Sequence, residues 1–145
     1  ESILATNFTA PFRIAREAIK PMLSQGAGSI VNMGSISGFV ANKPQLQVAY
    51  NSSKAAIHQM TTTMAFEYAS RGIRVNALAP GYIISDMTAG GIENAEWNKI
   101  WTENTPMQRF GKPSEMANCA LFLASDAASY VNGATLVADG GYLTH

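Results

Sequence analysis

Apolar residues recur along the first stretch of the chain at helical intervals. Phe8, Phe12, Ala15, Ile19 and Met22 are spaced four, three, four and three apart, which places them on one face of a helix. The pattern predicts a helix from about residue 2 to 24, ended by Gln25-Gly26-Ala27-Gly28, since glycine readily closes a helix. Ser29-Ile30-Val31-Asn32-Met33 follows as a short buried strand, and a loop rich in Gly, Ser, Asn and Pro runs from about Gly34 to Gln47. A second long helix carries Ile57, Met60, Met64 and Tyr68 on one stripe and stops near Arg71-Gly72. Ile73-Arg74-Val75-Asn76-Ala77-Leu78 is the next strand, closed by Pro80-Gly81.

From Tyr82 to Phe110 the periodicity is lost, and Gly90-Gly91, Trp97, Trp101 and Pro106 predict an irregular lid. Pro113-Ser114-Glu115 opens a third helix, with proline suited to its first turn and Glu115 favourable near its positive end. A short helical stretch from Ser125 to Tyr130 meets an Asn132-Gly133 turn. Ala134-Thr135-Leu136-Val137-Ala138 is the last strand, capped by Asp139-Gly140-Gly141. Three apolar strands separated by helices imply parallel strands joined by crossovers, hence a three-layer α/β/α arrangement in an α/β fold. No strand launches the first helix, and three strands make a narrow sheet. The expectation is therefore that a further N-terminal portion lies outside these residues, against the alternative of a complete small three-layer domain.

Composition narrows the classes of function. The chain has 145 residues, 47% hydrophobic and 14% charged, with ten basic and ten acidic residues scattered along it. No basic run suggests nucleic acid as a partner. No apolar stretch reaches the ~18 residues of a membrane span. Glu1-Ser2-Ile3-Leu4-Ala5-Thr6-Asn7 lacks the features of a signal peptide and reads as the middle of an amphipathic helix. The single cysteine, Cys119, is expected as a small buried core residue, and nothing favours an oxidising compartment. His58 is expected on a helix surface and His145 ends the chain. Neither belongs to a metal-ligand pattern, so no metal site is expected.

The chemistry is carried by Tyr50-Asn51-Ser52-Ser53-Lys54. Residues four apart on a helix stack on one face, within about 6 Å at the backbone end. A free tyrosine has a pKa of about 10, and a nearby ammonium favours the phenolate, so the pair can serve as a tuned general acid/base. Ser35 sits just past a parallel strand, where α/β folds build their sites, and can converge with Tyr50 at that sheet edge.

With Asn7 in the first helix, Ser35-Ile36-Ser37-Gly38, Tyr50-x-x-x-Lys54, Asn76-Ala77-Leu78-Ala79-Pro80-Gly81 and Asp139-Gly140-Gly141 in this order, the chain resembles the second half of the short-chain dehydrogenase/reductase family over essentially its whole length. The resemblance implies a Rossmann-like doubly wound parallel sheet. It also implies hydride transfer between a nicotinamide cofactor and a secondary alcohol or ketone. Tyr50 would exchange the proton with the substrate oxygen, and Ser35 would hold that oxygen. Lys54 would lower the Tyr50 pKa and bind the nicotinamide ribose, while Asn7 would position a water linking Lys54 to solvent. Pro80, Gly81, Ile83 and Ser85 would contact the cofactor, Ser85 standing where the family usually has threonine. The family's Gly-x-x-x-Gly-x-Gly loop and Asn-Asn-Ala-Gly segment are not in these residues, nor is the position that distinguishes NAD from NADP. NAD is expected, with NADP as the alternative.

Two finer expectations follow. Pro11 has no N–H, so the Asn7 carbonyl loses its usual helical donor. The relay is then expected to run through the Asn7 backbone beside a helix kink. Ser37 lies 13 residues before Tyr50 and Ser35 lies 15 before. Ser35 is preferred because the family's serine is normally followed by two residues and a glycine.

The segment Asn42-Lys43-Pro44-Gln45-Leu46-Gln47 is similar to the corresponding loop in the galactitol and related polyol or ketose enzymes of the family. Amide side chains suit a substrate dense in hydroxyls, and Asn42 is the expected substrate contact beside Ser35 and Tyr50. Asp86, Met87, Trp97, Trp101 and Met107 fall in the expected lid, the tryptophans equally suited to core, interface or substrate. A 3-oxoacyl-thioester or other carbonyl reductase is the alternative within the family, though no basic patch for a carrier protein is evident. A non-catalytic half-length module packed on a partner is the alternative of another class. The resemblance further implies a cytoplasmic homo-oligomer, commonly a tetramer.

Overall fold

Strand β2 (Ile73–Pro80) organises the chain, lying between β1 (Gly28–Met33) and β3 (Thr135–Ala138) with both pairings parallel. The structure is a computed structural model and describes residues 1–144; His145 lies outside the described residues. Having a neighbour on each side, β2 is buried along nearly its whole length, whereas β1 and β3 are mostly half-exposed.

The two-residue period of β2 assigns its faces. Ile73 and Val75 join Ala15, Ile19, Ile57, Met60, Met64 and Ala65 in one apolar cluster with α2 (Ala10–Gln25) and α3 (Val48–Tyr68). On the opposite face, Arg74 donates to the carbonyls of Leu123, Ala124 and Ser125 at the end of α6 (Pro113–Ala124). Asn76 donates to the Val131 carbonyl and accepts from the Ala134 N–H. Helices thus cover both faces, and the expected three-layer, Rossmann-like α/β arrangement is what the chain adopts.

The first helix is continuous but not uniform. A short α1 (Ser2–Leu4) runs into a π turn at Ala5–Thr9 and then into α2. The Ala10 N–H reaches back five residues to the Ala5 carbonyl, so the expected distortion beside Pro11 takes the form of a π turn. Gly26 ends α2 with φ 69°, and Gly72 ends the turn after α3 with φ 76°.

The stretch from Tyr82 to Phe110 corrects the expectation of an irregular lid. It contains two helices, α4 (Asp86–Glu93) and α5 (Ala95–Glu103). Local caps start both: Ser85 and Thr88 form a capping box, and the Asn94 side chain accepts from the Glu96 and Trp97 N–H groups. Gly90-Gly91 looks like a break in the sequence, yet both lie inside α4. At Gly91 a side chain would run into the Trp101 ring, so packing selects the glycine and overrides its poor propensity.

Candidate active site

After β1 the chain turns through Gly34, whose N–H donates to the Leu78 carbonyl at 2.7 Å. Ser35 follows in extended conformation and caps a 3-10 turn at Ile36–Gly38, its Oγ accepting the Ser37 N–H at 3.1 Å. A side chain at Gly34 or Gly38 would overlap the His58 imidazole. That imidazole is buried, which corrects the expectation of a surface histidine. The stripe of Ile57, Met60 and Met64 faces the sheet, and the loop after β1 folds back over the neighbouring position on α3. Periodicity along a helix cannot register a cover that comes from elsewhere in the chain.

His58 stacks on Phe39 with ring centroids 4.4 Å apart, and its Nε2 accepts the Ser35 N–H at 3.4 Å. An accepting Nε2 makes the ring neutral with its hydrogen on Nδ1, and Nδ1 is buried without a partner among the described residues. Burial, with the Lys54 charge second, holds its pKa below the usual histidine value.

Tyr50 and Lys54 lie on the first turns of α3, the Lys54 ammonium 5.5 Å from the Tyr50 ring centroid. Lys54 Nζ donates to the Met33 carbonyl, the last of β1, at 2.9 Å. Burial pushes the Tyr50 hydroxyl above its ordinary value, and a hydrogen bond with Ser35 opposes this. The Lys54 ammonium donates to the strand end, and the downward pull on Tyr50 comes from Ser35. Burial also lowers the Lys54 pKa. Ser35 and Ser37 both line the cavity that Tyr50 opens onto, and the Ser37 Oγ accepts from Gln47 Nε2 at 3.3 Å.

Asn7 lies within the π turn. Its Nδ2 donates to Ser53 Oγ at 3.1 Å, and Ser53 Oγ donates to the Tyr50 carbonyl at 2.7 Å. The distorted turn is thereby tied to the turn of α3 that carries Tyr50.

Ser35 and Tyr50 open onto a cavity of about 440 Å³. Asn42, Gln45, Gln47, Met87, Trp97 and Trp101 also line it, as does Tyr82, which directly follows Pro80-Gly81. Tyr82 stacks on Trp101 with centroids 4.3 Å apart, and its hydroxyl accepts from Gln45 Nε2 at 3.0 Å and Asn42 Nδ2 at 3.3 Å. Burial pushes the Tyr82 pKa up to about 12. Sequence reasoning missed Tyr82 and singled out Asn42 alone from the amide loop. An aromatic residue at the end of a central strand was the available signal. Met107 is 64% exposed and lines a different cavity of about 220 Å³. Cys119 shares that second cavity and is half-buried, not sealed in the core as expected, because it opens onto the space between α6 and Met107 and Arg109.

The remaining expected positions gather at the same end of the sheet. Pro80 pairs with Ala138, the Gly81 N–H donates to the Ala138 carbonyl at 3.0 Å, Ile83 bridges to Gly111, and Ser85 caps α4. A nicotinamide-ribose unit fits this edge: Lys54 spends one of three ammonium hydrogens on Met33, leaving two for ribose hydroxyls. Among the described residues no group of three or more His, Cys, Asp or Glu side chains is placed to hold a metal ion, and no helix is long and apolar enough to cross a membrane.

A parallel sheet with Ser35, Tyr50 and Lys54 gathered at one strand end defines a class, and the comparisons agree with it. The family profile described as enoyl-(acyl carrier protein) reductase matches residues 1–143. The chain belongs to the short-chain dehydrogenase/reductase family. It is 51% identical over 140 residues to the galactitol 2-dehydrogenase (L-tagatose-forming) of Cereibacter sphaeroides, covering 97% of this chain and 55% of that protein. A short-chain type dehydrogenase/reductase from Mycobacterium marinum superposes with a TM-score of 0.92 at 38% identity, over 98% of this chain and 55% of that one. A gluconate 5-dehydrogenase from Burkholderia cenocepacia J2315, in complex with NADP and tartrate, superposes with a TM-score of 0.91 at 32% identity, over 96% and 54%. The chain spans about half the length of the relatives it matches.

Proposed function

We propose that these residues are the catalytic C-terminal part of a single Rossmann-fold dehydrogenase domain, whose nucleotide-binding half lies in a longer chain. The reaction is oxidation of a secondary alcohol, a sugar alcohol, to its ketose, and the reverse. The observation that carries this reading is Ser35 and Tyr50 open to one cavity at one strand end, with the Lys54 ammonium 5.5 Å from the Tyr50 ring centroid.

When bound, the nicotinamide supplies the hydride chemistry, which the protein orients. Tyr50 takes the hydroxyl proton of the alcohol, or returns it to the ketone. Ser35 donates to the same oxygen and stabilises the charge that develops there. Lys54 holds the ribose hydroxyls, and Asn7 positions a water that passes the proton between Lys54 and solvent. Pro80, Gly81, Ile83 and Ser85 bound the nicotinamide side, and Asn42 contacts substrate hydroxyls. NAD is the proposed cofactor and NADP the alternative, the latter being what the gluconate 5-dehydrogenase structure holds. A cytoplasmic homotetramer is proposed, and exposed Ile14 and Phe66 on α2 and α3 support burial of that face between subunits.

The test is NAD-linked oxidation of galactitol by the longer natural chain. Tyr50→Phe keeps the ring and removes the proton carrier, so kcat should fall about 100-fold or more. Turnover that survives Tyr50→Phe would reject the assignment. A 3-oxoacyl-thioester reductase shares these motifs; turnover of an acyl thioester in place of galactitol would select it.

A further inference from the structure

We infer that Gln47 is a specificity residue of the proposed reaction: its side-chain carbonyl accepts a hydrogen bond from a substrate hydroxyl other than the reacting one, in a cavity suited to neutral polyols rather than sugar acids. The inference deepens the polyol reading above and rests on it.

The orientation of the loop amides is determined from two ends. A backbone carbonyl can only accept, so the end of Asn51 that meets the Val40 oxygen at 2.9 Å is its NH2. The same NH2 meets Asn42 at 3.3 Å, so Asn42 presents its oxygen there. Gln47 meets that oxygen at 3.1 Å and must do so with its own NH2, which also donates to Ser37 Oγ at 3.3 Å. From the other end, the Trp101 indole N–H can only donate, and it meets the Gln45 oxygen at 3.2 Å. The Gln45 NH2 is thereby turned to the Tyr82 hydroxyl, where the Asn42 NH2 arrives as well. The Tyr82 hydroxyl can accept from both NH2 groups, which is compatible with the Asn42 orientation that Asn51 fixes.

Gln47 has then committed both amide hydrogens, while its Oε1 accepts no hydrogen bond among the described residues. Keeping Asn51 in this orientation leaves the Asn51 Oδ1 buried without a partner, a cost borne by the residue that anchors the first chain. Toward a ligand, Gln47 is an acceptor only. It can meet a hydroxyl, which donates, but it repels a carboxylate. Among the described residues no Arg or Lys lines the cavity that Gln47 shares with Ser35 and Tyr50, so a sugar acid would find no counter-charge from them. Asn42 contributes in two ways, by fixing Gln47 and by the one amide hydrogen that the contact with Tyr82 leaves over.

The experiment uses the longer chain with its nicotinamide cofactor and compares kcat/KM on galactitol, gluconate and 2-butanol for the wild type and Gln47→Met. The wild type should prefer galactitol to gluconate, and Gln47→Met should lower the galactitol to 2-butanol ratio about tenfold. An unchanged ratio overturns the role of Gln47, including the case in which both substrates fall together through structural damage. A wild type that prefers gluconate overturns the neutral cavity. A wild type that oxidises none of the three overturns this inference and the functional reading together, which separates that failure from the others.

Discussion

At the scale of single residues, the site depends on a neutral histidine that never faces the substrate cavity. His58 supports the Ser35 N–H through Nε2 and fills the space left by Gly34 and Gly38. Because its pKa in the fold lies below 6.5, the folded state favours the neutral ring. The sign follows from linkage: the stabilisation is complete above pH 6.5 and is lost as pH falls toward and through the folded value. Lys54 is the charged group acting on His58, and it disfavours the imidazolium in the same direction as burial. His58→Phe keeps a ring stacked on Phe39 but strands the buried Ser35 N–H, so stability should drop by about 1–3 kcal/mol at pH 8. The variant should also lose the acid-side decline. Urea denaturation at pH 8 and pH 5.5 measures both, and a wild type equally stable at the two pH values would refute the neutral-support role.

At the scale of elements, the two lid helices are short, and short helices depend on their caps. Asn94 accepts the Glu96 and Trp97 N–H groups, each at 3.0 Å, and so starts α5, which carries Trp97 and Trp101 into the cavity wall. Asn94→Ala should cost about 1 kcal/mol, and Asn94→Asp should restore most of it. Thermal melts of the three proteins check the order, and an Asn94→Ala variant as stable as the wild type would show that tertiary packing alone holds α5. These helices also mark where the sequence was legible and where it was not. The strands, α2 and α3 repeat apolar residues at a fixed period, and their bounds were foreseen within a few residues. The pairing of Tyr50 and Lys54 was legible for the same reason, since four residues make one helical turn. In α4 the information lies in what Gly91 packs against, and for His58 in what covers it, so neither shows as a period. The amide loop shows a third kind of failure. Its composition pointed to polar recognition, but which oxygen stays available depends on hydrogen bonds to Val40 and Trp101, residues that come together only in the fold.

At the scale of the whole molecule, the sheet is unevenly served. β2 has neighbours on both sides, but β1 has one, and among the described residues no strand pairs with its other edge. A parallel sheet is normally buried on both faces and flanked along its edges; an open edge is a template for association. Met33, at the end of β1 and two residues before Ser35, is 52% exposed. This unevenness supports the proposal that a nucleotide-binding half packs along β1, and it makes that half a structural partner as well as a cofactor holder. The 145-residue chain expressed alone should then associate through β1, bind an apolar dye and unfold with little cooperativity. It should also fail to quench Trp97 and Trp101 fluorescence when NADH is added. The longer chain should unfold in one sharp transition, with its midpoint raised by NADH because binding to the folded state stabilises it. An isolated chain that is monomeric, melts cooperatively and binds NADH would mean that the β1 edge needs no neighbour, and the proposal of a missing half would fall with it.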